Sequence, residues 1–371
     1  MASRAGALAW RAERQFLGET RAASALEVVT RLQAVPAWLG DADLAVRLRL
    51  AADEPGESGA LAQAVAAGEV VKVYAHRGST QYLTPAGAAA ALTVRAAGRQ
   101  WARTSWVEFY GVQADAWPAL REEVRAAVAP GALTRAELAA AISASARFGH
   151  VGHAFVDSRD TFLKPFMWQG DLRFGPDRDG DATLASFDGV PGWTGVAELD
   201  DAGPAVIEGY LAAYGPATEA NLAYWLGDGL SAGRKRIASW LSALRASGRV
   251  VELHVDGTPA FALDADADAI ESASGSPALC LVPGYDQWVL GPGTADPHVI
   301  APERRALATR GAALVLEGGR VRGIWRRAGS DVEVSWFAEH APPAREALER
   351  AARGRVAGAD AEVRLTEAVP R

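Results

Sequence analysis

The chain has one cysteine, Cys280, in 371 residues. A single thiol excludes an intramolecular disulfide and any zinc site built on two or more thiolates. Lysine is scarce as well: Lys72, Lys164 and Lys235 are the only ones, and arginine carries nearly all the positive charge. Basic residues are outnumbered, 38 Lys+Arg against 45 Asp+Glu, for a net charge of −7. That balance argues against a protein that coats nucleic acid through bulk charge, because phosphate neutralisation supplies most non-specific affinity. It does not exclude local basic patches. No apolar run approaches the roughly 20 residues of a membrane span, and Met1–Trp10 has no apolar core of signal-peptide length. No Walker loop, serine elbow or zinc-protease motif occurs. The expectation is a cytoplasmic, nucleoid-associated protein that works without a cofactor or metal.

What is present is the composition of a soluble globular protein, 49% hydrophobic and 22% charged. The length calls for two or three units. Three segments share one layout: helical periodicity, a glycine turn, then two β-prone runs joined by a turn. They end in "AGEVVKVYAHRGSTQYLTPAG", "WQGDLRFGPDRDGDATLASF" and "SGRVVELHVDGTPAFAL". Gly68, Gly170 and Gly248 are placed to cap the preceding helices in a left-handed conformation. Helices are expected at Glu13–Gly18, Ala23–Gln33 and Gly59–Ala67; at Ala119–Val128, Thr134–Ala144 and Asp157–Gln169; and at Pro204–Tyr214, Glu219–Leu226 and Ser231–Ala246. Helices followed by a hairpin are the plan of a winged helix. After Ser274 the pattern changes to strands, with one helix at Pro342–Gly354 and a closing strand "AEVRLT". The expected fold is α+β: winged-helix-like units over 1–115, 116–200 and 201–273, then a small, mostly antiparallel α+β module over 274–371.

Two basic clusters stand out. Arg234, Lys235 and Arg236 open the helix that, in a winged helix, enters the major groove. The alternative is a solvated helix face. In "GGRVRGIWRR", alternation puts Arg320, Arg322, Ile324 and Arg326 on one face and Val321, Gly323, Trp325 and Arg327 on the other. Such a ribbon can lie in a DNA groove with Trp325 stacked on a displaced base, or be a charged edge strand with Trp325 in the core. His150 and His153, in "GHVGH", have metal-ligand spacing only if helical, and their glycines argue against a helix. "DRDGDATLASFD" imitates a calcium loop, but its glycine is misplaced and strands flank it, so an acidic hairpin turn is expected.

Five segments together resemble the tandem winged-helix family that includes the DNA glycosylases unhooking interstrand cross-links, of the azinomycin-resistance type. They are "VVTRLQAVPAWLGDADLAVRLR", "AHRGSTQYLTPAGAAAL", "YLAAYGPATEANLAYWLG", "LVPGYDQWVLG" and "GGRVRGIWRR", in the family's order and over most of the chain. The resemblance implies a monofunctional glycosylase acting on bulky N7-alkylated purines or cross-links in double-stranded DNA, as a monomer. It places Arg77 in a hairpin turn that contacts DNA. It also implies a catalytic Gln-x-Gln or Gln-x-Asp pair, whose first member is Gln33. The second position is Val35, which has no lone pair. Further departures are Gln81, where the family often has His, and Asn221 in place of a usual Asp. An N7-alkylated guanine is already a good leaving group, so the enzyme's task is to hold a water at the anomeric carbon. Gln33 can do this alone, Gln81 or Asp286 can supply what Val35 lacks, or Gln33 is a buried amide that ties the helix end to the Pro36 turn.

Three functions therefore stand side by side. The first is a repair or self-resistance glycosylase. The second is a catalytically silent DNA-binding regulator or lesion shield, motivated by Val35. The third is a small-molecule-binding protein on the same fold, motivated by the net charge and the twelve tryptophans.

Overall fold

The computed structural model describes residues 1–51, 59–157, 159–227, 231–353, 356 and 361–366. The chain packs into two compact units, Met1–Ala64 with Ile207–Trp225 and Trp240–Arg371, and Val65–Val206 with Leu226–Ser239. It is a mixed α+β protein with antiparallel sheets. None of its described helices is long and apolar enough to cross a membrane.

The first unit opens with the helix Arg4–Arg14, not with one at Glu13–Gly18 as expected. Its end is fixed by Glu13, whose carboxylate accepts from the Glu19 and Thr20 N–H groups at 2.8 and 3.1 Å, so the chain turns where the sequence pattern would continue. The next helix, Ala25–Leu32, starts at Ser24, which accepts from the Glu27 N–H, while Glu27 reaches back to the Ala23 N–H. The unit's hairpin, Val250–Val255 with Thr258–Leu263, turns at Asp256-Gly257, both at positive φ. Its larger sheet has five strands in the order Val363–Leu365, Asp331–Trp336, Arg320–Ala328, Ala313–Glu317, Leu279–Val282. All neighbours are antiparallel except the first pair. Leu281, Val315, Val332, Val334, Trp288 and Phe337 fill its core, and the helix Arg345–Ala352 adds Leu348 and Ala352. That helix is shorter than expected at both ends, and residue 354 lies outside the described residues.

The second unit joins two of the expected hairpins into one antiparallel sheet. The strands Thr80–Leu83, Val71–Tyr74, Arg173–Phe174, Thr183–Ala185 and Leu133–Thr134 lie in that order, with Lys72 opposite Phe174. The helices Trp117–Val128 and Arg135–Ser143 lie where the periodicity puts them, the second behind a capping box of Thr134 and Glu137. The Asp157–Gln169 expectation shrinks to Lys164–Trp168, with residue 158 outside the described residues. Asp160 explains the shortening, since its carboxylate accepts from the Phe162 N–H at 2.8 Å and breaks the run. The GHVGH segment is helical after all, a 3-10 run over Gly149–Phe155. Its glycines permit close packing, because a Cβ on Gly152 would overlap the Ser143 hydroxyl and one on Gly149 would lie 2.7 Å from the Ser143 carbonyl. The acidic stretch after Phe174 is a hairpin turn, pinned by mutual Arg178–Asp181 backbone bonds at 2.9 Å.

The helices expected in the third repeat are present as Leu199–Tyr214, Glu219–Gly227 and Arg234–Ala246. The first starts ahead of Pro204. The last starts after Ser231, whose hydroxyl turns back to the Leu226 carbonyl and so does not cap it. Gly68, Gly170 and Gly248 all have positive φ, as the repeated helix–glycine–hairpin layout requires.

Candidate functional site

Gln33 ends the helix Ala25–Leu32 in a left-handed conformation, φ 62° and ψ −19°. The last carbonyls of a helix have no partner within it, so a buried helix end needs donors from elsewhere. Leu32 and Ala34, on either side of Gln33, are fully buried. The Tyr214 hydroxyl donates to the Leu32 carbonyl at 2.6 Å, and the Gln287 amide donates to the Ala34 carbonyl at 2.7 Å. Between these anchors Gln33 is half-buried, and its Nε2 donates to the Thr30 carbonyl at 2.8 Å. That bond identifies the amide's nitrogen end and leaves its oxygen as the acceptor end. The oxygen rests over Gly209 of the helix Leu199–Tyr214, in space a Cβ would fill. Tyr214, Gln287 and Gly209 are neighbours of the candidate site that the sequence reading missed. Tyr214 and Gln287 fall within two of the quoted motifs, whereas Gly209 lies one residue ahead of the motif that begins at Tyr210.

Val35, the expected second position, is completely buried. Just beyond it Trp38 and Leu39 are exposed apolar side chains, 61% and 51% accessible.

Asp286 is not a free carboxylate. It forms a bidentate pair with Arg49 at 2.7 and 2.9 Å, both side chains fully buried, and it also accepts from the Trp288 N–H at 2.8 Å. Burial disfavours the Arg49 charge, but the attraction of Asp286 and its hydrogen bonds outweigh it and raise the Arg49 pKa. Asp286 therefore caps the short helix Gln287–Leu290, and both of its oxygens are already engaged by Arg49. Gln81 lies in the second unit, opposite Val73, 1% exposed, with an Oε1 that has no hydrogen-bond partner among the described residues.

Asn221 fits its place better than the family's usual Asp. Its Oδ1 accepts from the Thr218 N–H and hydroxyl at 2.9 and 2.7 Å. Its Nδ2 donates to the Pro292 carbonyl at 2.7 Å and to Asp296 at 3.2 Å. A carboxylate there would face Asp296 with like charge.

The basic candidates divide. Arg234, Lys235 and Arg236 are all exposed in the first turn of their helix, and Arg236 donates to the Ala97 carbonyl at 3.3 Å. Arg77 is half-buried at positive φ in the turn His76–Gly78. The strand Arg320–Ala328 shows the expected alternation, with Val321, Gly323 and Trp325 inward. It is an interior strand of its sheet, however, not an edge or a free ribbon. Trp325 is 7% exposed and gives its indole N–H to the Val282 carbonyl at 2.9 Å, so the expectation that it stacks on a displaced base is corrected: it is core. Arg326 pairs with Glu333 across the strands, Arg322 lies 3.6 Å from Glu317, and Arg320 donates to the His298 carbonyl at 3.3 Å. Arg327 is exposed at the strand end, although its register puts it on the inward face. Eight of the twelve tryptophans are buried, and Trp288 among them lines a cavity together with Trp10.

The comparisons with known proteins agree with the family resemblance. Residues 26–356 match the model of the DNA glycosylase AlkZ-like family. A curated relative from Streptomyces sahachiroi, named an interstrand DNA cross-link repair glycosylase, is 34% identical over 337 residues, 89% of each chain. The solved structure of the Streptomyces sahachiroi DNA glycosylase AlkZ superposes with a TM-score of 0.89 at 31% identity, covering 98% of this chain and all of that one. The chain belongs to the AlkZ-like DNA glycosylase family.

Proposed function

We propose that this protein is a monofunctional DNA glycosylase that removes N7-alkylated purines, cross-linked ones included, from double-stranded DNA, with Gln33 as the water-orienting residue. The observation that carries this reading is the fixed amide of Gln33. Its nitrogen is tied to Thr30, so its oxygen is the end offered to a water. The reaction breaks the C1′–N9 bond, and its electron pair leaves with the base and neutralises the alkylated ring. The water oxygen bonds to C1′, and its proton passes to solvent. A leaving group this good needs no acid. What Gln33 contributes is orientation of the water and a dipole facing the oxocarbenium-like charge. Acting on a base requires taking it out of the stack, and exposed Trp38 and Leu39 offer apolar surface next to the Gln33 segment for that purpose. The exposed first turn at Arg234, Lys235 and Arg236 is suited to meet phosphates or guanine edges, with Arg320, Arg322, Arg326 and Arg327 as a lesser basic surface.

A second reading, a silent DNA-binding relative, is favoured by one observation: Val35 is fully buried and presents no second lone pair. A base-release assay separates the two. Duplex carrying N7-alkylguanine or an interstrand cross-link is incubated with the protein, abasic sites are cleaved, and the products are resolved on a gel. Release that disappears with Gln33→Ala supports the glycosylase. Binding of the intact duplex without release identifies the silent relative.

A further inference from the structure

The second unit gathers positive charge in a place the sequence reading did not anticipate. Lys164, at the start of the short helix Lys164–Trp168, reaches the turn His76–Gly78 and donates to the Gly78 carbonyl at 3.1 Å. Its ammonium also lies over the Tyr74 ring, 5.0 Å from the centroid. Arg135 meets the same tyrosine, donating to its hydroxyl at 3.1 Å. Arg95, stacked over Trp168, comes close to Gly78. Arg77 sits in the turn itself. Lys164, Arg135, Arg95 and Arg77 thus converge on Tyr74 and one tight turn, although they come from separate segments of the chain.

Cations crowded together repel, and crowding at partial burial costs more than at the open surface. Burial, more than crowding, shows in two of the groups. Burial, then Arg95 and Arg135, push the Lys164 ammonium pKa down. Burial alone brings Arg95 down to about 10. Among the described residues no carboxylate lies within salt-bridge distance of Lys164 or Arg135. Lys164 and Arg135, two half-buried cations without a carboxylate at that distance, are placed to receive an anion. The position fits a nucleic-acid backbone. Arg95 lies in the last turn of the helix Pro85–Ala96, and the carbonyl of the next residue, Ala97, is the one that Arg236 bonds. The cluster is therefore connected, within one unit, to the first turn expected to meet the duplex.

We propose that Lys164 and Arg135, with Arg77 beside them, form a binding site for a backbone phosphodiester of double-stranded DNA. Tyr74 and the Gly78 carbonyl hold the two cations in register, and the phosphate supplies the counter-charge that Lys164 and Arg135 lack among the described residues. The site rests on the reading that the protein engages duplex DNA, but it is separate from Gln33 and from base removal.

The test is the salt dependence of binding to an undamaged duplex, followed by fluorescence anisotropy with the full chain. Losing one phosphate contact lowers the magnitude of the slope of log K against log salt by about 0.9. Lys164→Gln keeps a donor for the Gly78 carbonyl and removes the charge. It is expected to weaken binding and lower the slope by that amount, with Lys164→Arg restoring both. Arg135→Gln gives an independent second reading with the same expected shift. Slopes unchanged in both variants, with the duplex still bound, overturn the site and leave DNA engagement standing. A wild-type protein that binds no duplex at low salt overturns both. A Lys164→Arg variant that behaves like Lys164→Gln also overturns the site, because its charge would then not be what matters.

Discussion

The side-chain oxygen of Gln33 occupies the space a Cβ on Gly209 would need. Gly209 lies inside the helix Leu199–Tyr214, where glycine is a poor helix former. Replacing it with alanine should favour the helix by about 0.5–1 kcal/mol while pushing the Gln33 amide aside. Gly209→Ala is therefore expected to fold and melt no lower than wild type, yet to release base about 100-fold more slowly, as a displacement of about 1 Å at a reacting centre does. Single-turnover base release beside thermal melting checks this. Wild-type rates in the variant would mean that the position of the Gln33 oxygen is immaterial.

Arg49 and Asp286 are predicted to be a stability element. Removing one partner of a buried pair strands the other charge and costs about 3–5 kcal/mol. Arg49 also donates to the Ala45 and Gln15 carbonyls at 2.7 and 3.1 Å, so Arg49→Met should be the worse of the two single variants, with Asp286→Asn behind it. Urea unfolding of the single variants and of the double variant Arg49→Met/Asp286→Leu measures this. The double variant should recover much of the loss.

Acid should destabilise the second unit through His76. Burial, then Arg77 and Arg95, push its imidazole down to about 3, against an ordinary value of 6.5. The folded pKa lies below the unfolded one, so the unfolded chain takes up a proton that the folded one refuses. The contribution is complete above pH 6.5 and declines as pH falls towards 3. The expected decline is about 1.4 kcal/mol per pH unit in that window. Melting temperatures from about pH 7 to about pH 5 should fall less steeply in His76→Gln than in wild type. Parallel curves would sink the assignment.

Trp325→Phe should cost about 1–2 kcal/mol of stability through the lost bond to the Val282 carbonyl, and should leave duplex affinity unchanged. A drop in affinity at unchanged melting temperature would return Trp325 to the DNA surface.

Local rules made much of this protein legible. Ser24 with Glu27, and Thr134 with Glu137, mark helix starts because a side-chain oxygen satisfies an N–H three residues away. Gly248 and the Asp256-Gly257 turn mark a helix end and a hairpin because both need positive φ. The alternation over Arg320–Arg326 follows from the two-residue period of a strand. The sequence motifs also placed Gln33 at a helix end and named the family that the comparisons identify.

What surrounds those residues was decided only by tertiary structure. Gln33 is held by donors 182 and 253 positions from the carbonyls they bind, and no rule of local spacing reaches that far. Asp286 looks like a reactive carboxylate until Arg49, 237 residues away, takes both of its oxygens. Alternation assigns Trp325 to a face, but only the packing of its sheet makes that face the inside. The cations around Tyr74 are scattered through the sequence and meet only because a turn and two helices pack together. Sequence determines what each segment can form, since those energies act over a few residues. Which groups share a site depends on long-range packing, which alone brings distant side chains within hydrogen-bonding distance.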